Sequence, residues 1–460
     1  MSPASRASST LVIVIGGGAD ALVAAQMLAR AGREVVMIEG ASSAPDEGWV
    51  PKKVLRELRI EGLKLEWPDP WLTVPLPDGG RLELSRDMAR TVEAIRRVSP
   101  RDAERWPEFC DRMARLARFL ERIYAAPPPD PLSVGFALRA RRLGKRGLAD
   151  LLRILPMPVA ELLDDWFESD ALKGALGAAG VLHLLQGPRS GGTAFRLLHH
   201  HLGSPPGVFR PPRSNVVELL RKLPRVELQQ TEVLRITVRG GAVAGVVLKD
   251  GRELEASTVV SSADPRRSLL ELVEPGWLDP ELVRALRHLR RRGVAARLRL
   301  QLDRSPGFSS LALAPSLDYL ERAYDDAKHG RASRRPFIEA RCDAQHRVEV
   351  HVQYVPYGVD GSNLKDGVMA LLSEHWGDAQ PQHSELLTPR ELEQFEGWPE
   401  GQPHHAELSL DQALWMRPLP ELARYRTPIQ GLWLCGPAMH PGAGIAGAAG
   451  LHCAREILGR

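Results

Sequence analysis

The strongest constraint on this chain is an apolar run, Leu11–Ile15, that stops at once on Gly16-Gly17-Gly18-Ala19-Asp20-Ala21. The run is mostly β-branched, as a strand buried on both faces of a parallel sheet must be. Residues 21–31 are rich in Ala and Leu and read as a helix, with Gly32 as its C-terminal glycine. Residues 34–38 read as a second buried strand, which completes a βαβ unit in about 30 residues. Gly16-x-Gly18-x-x-Ala21 therefore lies between strand and helix. Gly16 permits the tight turn, and Gly18 lets backbone N–H groups approach a pyrophosphate at the helix N-terminus. Ala21 is small enough for close helix–strand packing. Glu39 ends the second strand, where a carboxylate accepts hydrogen bonds from a ribose hydroxyl and disfavours a 2′-phosphate. Together these residues predict a dinucleotide site that does not take NADP.

The rest of the chain narrows the class. Its 460 residues suggest two or three domains. A formal net charge of +4 is too mild for a nucleic-acid partner, and no basic run is interleaved with aromatics. Cys110, Cys342, Cys435 and Cys453 are scattered, which argues against a zinc site or a disulfide framework and fits a reducing compartment. The first ten residues lack a signal-peptide pattern, and no run of about 18 apolar residues occurs. The expectation is a cytoplasmic protein, with peripheral contact through an Arg-rich face left open.

Along the chain, residues 41–80 read as loops with short helical turns. Two helices follow, broken at Ser99-Pro100 and ended by the prolines at 127–129, with more helix to about His201. Residues 216–265 read as a helix and then short strands, with hairpin turns at Gly240-Gly241 and Asp250-Gly251. The last segment is strand 432–435, a loop from Gly436 through His440-Pro441-Gly442-Ala443-Gly444 to Gly447, and a helix. That glycine density suits a backbone close to a ligand, with helix N–H groups aimed at a phosphate or a flavin carbonyl.

The two ends of the chain, VIVIGGGADALVAAQMLARAGREVVMIEG and GLWLCGPAMHPGAGIAGAAGLHCAREIL, resemble the phytoene desaturase-like branch of FAD-dependent oxidoreductases. That branch belongs to the amine oxidase and GDP-dissociation-inhibitor superfamily. Val260-Ser-Ser-Ala-Asp-Pro265, Leu387-Thr-Pro-Arg-Glu-Leu-Glu393 and Asp411-Gln-x-x-x-x-Arg417-Pro418 agree with it. The resemblance implies an α/β fold: a Rossmann-like, p-hydroxybenzoate-hydroxylase-like FAD domain (8–85, 205–270, 426–460) and a mixed α+β substrate domain (86–204, 271–425). It implies that Gly16, Gly18 and Ala21 cradle the pyrophosphate, Glu39 holds the ribose and Val233 meets the adenine through its backbone. Gly436, Gly444, Ile445, Ala446 and Gly447 would face the flavin. A hydride would pass from a saturated C–H of a lipophilic or bulky small molecule to flavin N5.

The sequence departs from the family pattern at several points. Only Gly48 remains of the glycines expected after the ribose acid, and Pro211-Pro212-Arg213-Ser214-Asn215 stands where a Gly-Gly precedes the middle helix. Ala443 replaces a loop glycine. Asp20 adds negative charge near the pyrophosphate, where it could instead cap the helix. These changes keep two other readings open: a flavin-free binding module or partner subunit on the same fold, and a flavin amine oxidase. The amine oxidase ranks last because no aromatic follows Trp433. Among side chains, His440 is the catalytic candidate beside the flavin. His404, His405 and Glu407 are read as a solvated loop, and the acids at 102, 104, 108, 111 and 121 as a solvated helix face. His199-His200-His201 is not read as a metal site, since neighbours on a helix do not share a face.

Overall fold

The computed structural model describes residues 11–40, 48–128, 141, 144–293 and 295–459. Residues 41–47, which carry most of the departures after the ribose acid, lie outside the described residues.

Leu11–Ile15 and Glu34–Glu39 are adjacent parallel strands, with helix Ala19–Arg30 between them in sequence. They form the centre of a five-stranded parallel sheet ordered 432–434, 258–261, 11–15, 34–39, 227–230. Val12, Ile13 and Val14 are at most 3% exposed, so this sheet is covered on both faces. Its strands come from both ends of the chain and from the middle. Beside it, Val233–Arg239, Ala242–Leu248 and Glu253–Glu255 form an antiparallel meander turning at Gly240-Gly241 and Asp250-Gly251.

A second sheet of seven strands, ordered 381–387, 295–302, 347–353, 338–342, 310–313, 72–75, 81–84, stands apart. Here side chains alternate by face. Leu298, Leu300, Val348 and Val350 pack with Leu364, Val368 and Leu372 of helix Gly361–Ser373. Arg297, Arg299, Glu349 and His351 point the other way. A helical layer, including Pro100–Tyr124, Asp170–Val181 and Thr193–His200, forms the largest apolar cluster.

Two expectations change. The sequence reads residues 41–80 as loops with short helical turns. Leu72–Pro75 is instead a strand that, paired with Arg81–Leu84, extends the seven-stranded sheet through Thr73 against Leu311. Leu72, Thr73 and Val74 are buried in a row, and Arg81–Leu84 alternates, against a sheet whose other strands are distant in sequence. The acids of helix Pro100–Tyr124 are not all solvated. Asp102 is fully buried and accepts the backbone N–H groups of Glu168 and Ser169.

Candidate active site

The two chain ends meet. Helix Ala19–Arg30 packs on helix Ala448–Ile457 so closely that a Cβ on Gly450 would lie 1.9 Å from the Asp20 carbonyl oxygen. At the C-terminal edge of the parallel sheet, where such sheets bind ligands, a cavity of about 420 Å³ opens. It is walled by residues 16–21, by Thr231, Glu232 and Val233, by Ser262, Ala263 and Asp264 beside the glycine turn, and by Pro403, His404, His405, Pro437 and residues 442–446.

The glycine turn suits a diphosphate. Gly18 begins helix Ala19–Arg30 without a side-chain cap, and the first intrahelical bond runs from Leu22 N to Gly18 O. The N–H groups of the first turn therefore face the cleft as free donors at the positive end of the helix dipole. Asp20 does not cap this helix. Its carboxylate turns to the other chain end and accepts from Gly450 N at 3.3 Å. Burial pushes its pKa up to about 7 against the opposing hydrogen bonds from the backbone at 447, 449 and 450. The N-terminal N–H groups of the last helix are thus engaged by Asp20, which overturns the expectation that they aim at the ligand.

Several of the expected residues stand elsewhere. Gly16, Gly18, Ala21, Val233, Gly444, Ile445 and Ala446 line the cleft; Glu39, Gly436, His440 and Gly447 do not. Glu39 is 7% exposed and lies under the glycine turn, its two oxygens held by Arg221 and one also by Gln230 Nε2 at 2.9 Å. A buried carboxylate is held by the nearest cation, and Arg221 fixes Glu39 in that place. Gly436 is needed for packing: a Cβ there would sit 2.1 Å from Ser262 O. Gly447, at φ +77°, brings the last helix against Val23.

His440 is wholly buried behind the loop, with Nε2 3.2 Å from Ala126 O and its ring against Tyr124. A carbonyl only accepts, so Nε2 donates. Burial drives the pKa down to about 3. This is a packing histidine, not a group beside the cleft. His199 has a similar task, donating from Nε2 to Ala443 O at 2.8 Å and so fixing the loop that lines the cleft.

The cleft histidines are His404 and His405, read from sequence as solvated. Burial pushes the pKa of His405 to about 4 and that of His404 well below 6.5. Arg417 holds their loop in place. It is fully buried and donates to the carbonyls of Ala406, Glu407, Gln412 and Pro437. Asp264 and Ser262, also overlooked, stand just past the end of strand Thr258–Ser261. Their position after a buried strand was the available signal. Among the described residues no cluster of potential metal ligands occurs, and no helix is long and apolar enough to cross a membrane.

A parallel sheet closed by both chain ends, with uncapped helix donors at its C-terminal edge, defines a dinucleotide-binding oxidoreductase fold. The family model for flavin containing amine oxidoreductases matches residues 52–458, and the chain belongs to that family. It is an FAD-dependent oxidoreductase, which decides against the flavin-free module. The pyridine nucleotide-disulfide oxidoreductase domain-containing protein 2 of Rattus norvegicus is 28% identical over 97% of this chain and 93% of its own. Hydroxyneurosporene desaturase of Cereibacter sphaeroides is 28% identical over 58% of this chain and 59% of its own. Putrescine oxidase bound to putrescine shares the fold, with a TM-score of 0.59 at 16% identity over 98% of this chain and 99% of its own.

Proposed function

We propose that this enzyme removes a hydride from a saturated C–H of a small organic molecule. FAD supplies the hydride acceptor when bound. Three features of the chain support this reading. The free N–H groups of residues 19–21 hold the diphosphate, and Val233 and its neighbours border the adenine end. The 403–405 and 442–446 segments border the flavin end, next to a second cavity of about 680 Å³ over the seven-stranded sheet. Pro403 lines both cavities, and the rings of His404 and His183 meet across the wall at 4.8 Å. That shared wall is the observation that carries the proposal, because it sets a substrate-sized chamber against the flavin end. Burial holds His404 neutral and disfavours its taking up a proton, so its part is to border the substrate rather than to serve as a general base or acid. The same chemistry serves a desaturase, which oxidises a C–C bond, and an amine oxidase, which oxidises a C–N bond. The test is anaerobic mixing of the purified yellow protein with a panel of amines, acids and alkenes. Bleaching of the flavin's visible absorbance by one class is expected; no bleaching by any of them contradicts the proposal.

A further inference from the structure

The chamber over the seven-stranded sheet has a mixed lining, apolar in part and strongly charged in part. Alternation along Ala295–Leu302 and Arg347–Gln353 turns Arg297, Arg299, Arg347 and Glu349 into the chamber, where they stand among apolar neighbours such as Leu182, Leu392 and Pro403. Among the charged groups that line it, with Glu339, Asp343 and Glu396, one carboxylate bridges two guanidinium groups. Glu349 Oε1 accepts from Arg297 Nη2 at 2.6 Å, and its Oε2 from Arg213 Nη2 at 3.3 Å. These side chains keep 23% (Arg297), 43% (Arg213) and 45% (Glu349) of their surface exposed. Two cations share one anion, so the trio carries an excess positive charge, and each guanidinium has five N–H donors to place. The Trp398 ring lies 5.7 Å from the Arg297 guanidinium and flanks it.

The trio is linked to the flavin end by contact. Arg297 stands directly opposite His351 in the antiparallel register. The His351 ring meets that of His183 at 4.6 Å, and His183 meets His404 at 4.8 Å. Apolar atoms set against this trio would strip water from three charged groups and return no hydrogen bond for it. A carboxylate would instead find two planar donors in fork geometry.

We propose that the substrate carries a carboxylate, docked on Arg213 and Arg297, with its oxidised carbon reaching past His183 toward His404. The proposal rests on the hydride-transfer reading above and replaces the lipophilic substrate expected from sequence. No covalent step beyond that oxidation is added.

Three ligands with one tail and different heads test it: hexanoate, hexylammonium and hexanol, titrated into the purified full chain by calorimetry, with flavin content measured on each sample. Hexanoate is expected to bind at least about tenfold more tightly than the other two. Arg297→Gln should remove about tenfold or more of that affinity, and Glu349→Gln should tighten hexanoate several-fold, on the order of three. The opposite signs cannot come from damaged folding. Hexanol or hexylammonium binding as well as hexanoate, no binding by any of the three, or indifference of hexanoate to Arg297→Gln would overturn the proposal. Binding of hexanoate by a chain that holds no FAD would sink the flavin reading alone, and a yellow protein indifferent to head-group charge would sink this inference alone.

Discussion

The two large sheets solve the problem of holding a ligand in opposite ways. The parallel sheet is apolar on both faces and presents its ligand with backbone at one edge, through an uncapped helix turn and close-packed glycines. The seven-stranded sheet is apolar on one face only and presents charged side chains on the other. Backbone donors are fixed in place by the fold, so the first sheet suits an invariant cofactor. Side chains can be exchanged without disturbing the ladder, so the second suits a substrate.

The comparison breaks most visibly at Gly18. Its φ of −76° is open to any residue, so Gly18→Glu should fold. The new carboxylate would stand in the diphosphate's place and lower FAD affinity by on the order of a hundredfold, ~2.7 kcal/mol. Flavin content after gel filtration measures this; normal content would misplace the cradle.

Stability should separate the two regions next. Gly450→Ala puts a methyl 1.9 Å from a backbone oxygen between the first and last helices. It should cost about 3 kcal/mol by chemical denaturation. Arg297→Gln, which loses a partly exposed ion pair on the other sheet, should cost about 1 kcal/mol or less. Equal costs would mean the two sheets are not packed as differently as described.

The acid at the parallel edge gives a pH dependence. Asp20 lines the cleft, and its pKa is raised to about 7 by burial. Its buried neighbours Tyr425, Cys435 and Cys453 are pushed well above their usual values, so Asp20 is the group there that titrates near neutrality. Below pH 7 it is neutral and leaves the diphosphate unopposed; above pH 7 it is charged. FAD should therefore bind up to about tenfold more tightly at pH 6 than at pH 8, and Asp20→Asn should flatten the difference. Fluorescence titration of FAD into the apoprotein reads both. The smallest effect is expected at His440. His440→Gln should lower the melting temperature yet leave the rate of flavin reduction within about twofold, since the ring lies behind the loop rather than in the cleft.

The same contrast decides what could be read from sequence. The βαβ unit was legible because a buried parallel strand, a glycine turn and a small-residue helix are local and leave no alternative. Gly16, Gly18 and Ala21 followed directly. Leu72–Pro75 and Arg81–Leu84 were missed because their partner strand begins at Ser310, and only that pairing reveals their register. Glu39 stood at the right place on its strand, but Arg221, 182 positions away, holds its carboxylate. His404 and His405 looked solvated because what surrounds them is distant in sequence: Arg417 holds the next carbonyls of their loop, and the His183 ring stands against His404. His440 looked reactive from its loop, and only the carbonyl of Ala126 shows what its ring does. The charged chamber was invisible for a similar reason: no single strand shows that Arg213, Arg297 and Glu349 converge.

The central claim is that main-chain donors at the start of the first helix hold the cofactor. A diffraction structure of the protein grown with FAD tests it most directly. Diphosphate oxygens at about 2.7–3.2 Å from the backbone nitrogens of residues 18–21 are the predicted result. A diphosphate seated on the first turn of the last helix, with Asp20 displaced from Gly450, would contradict it.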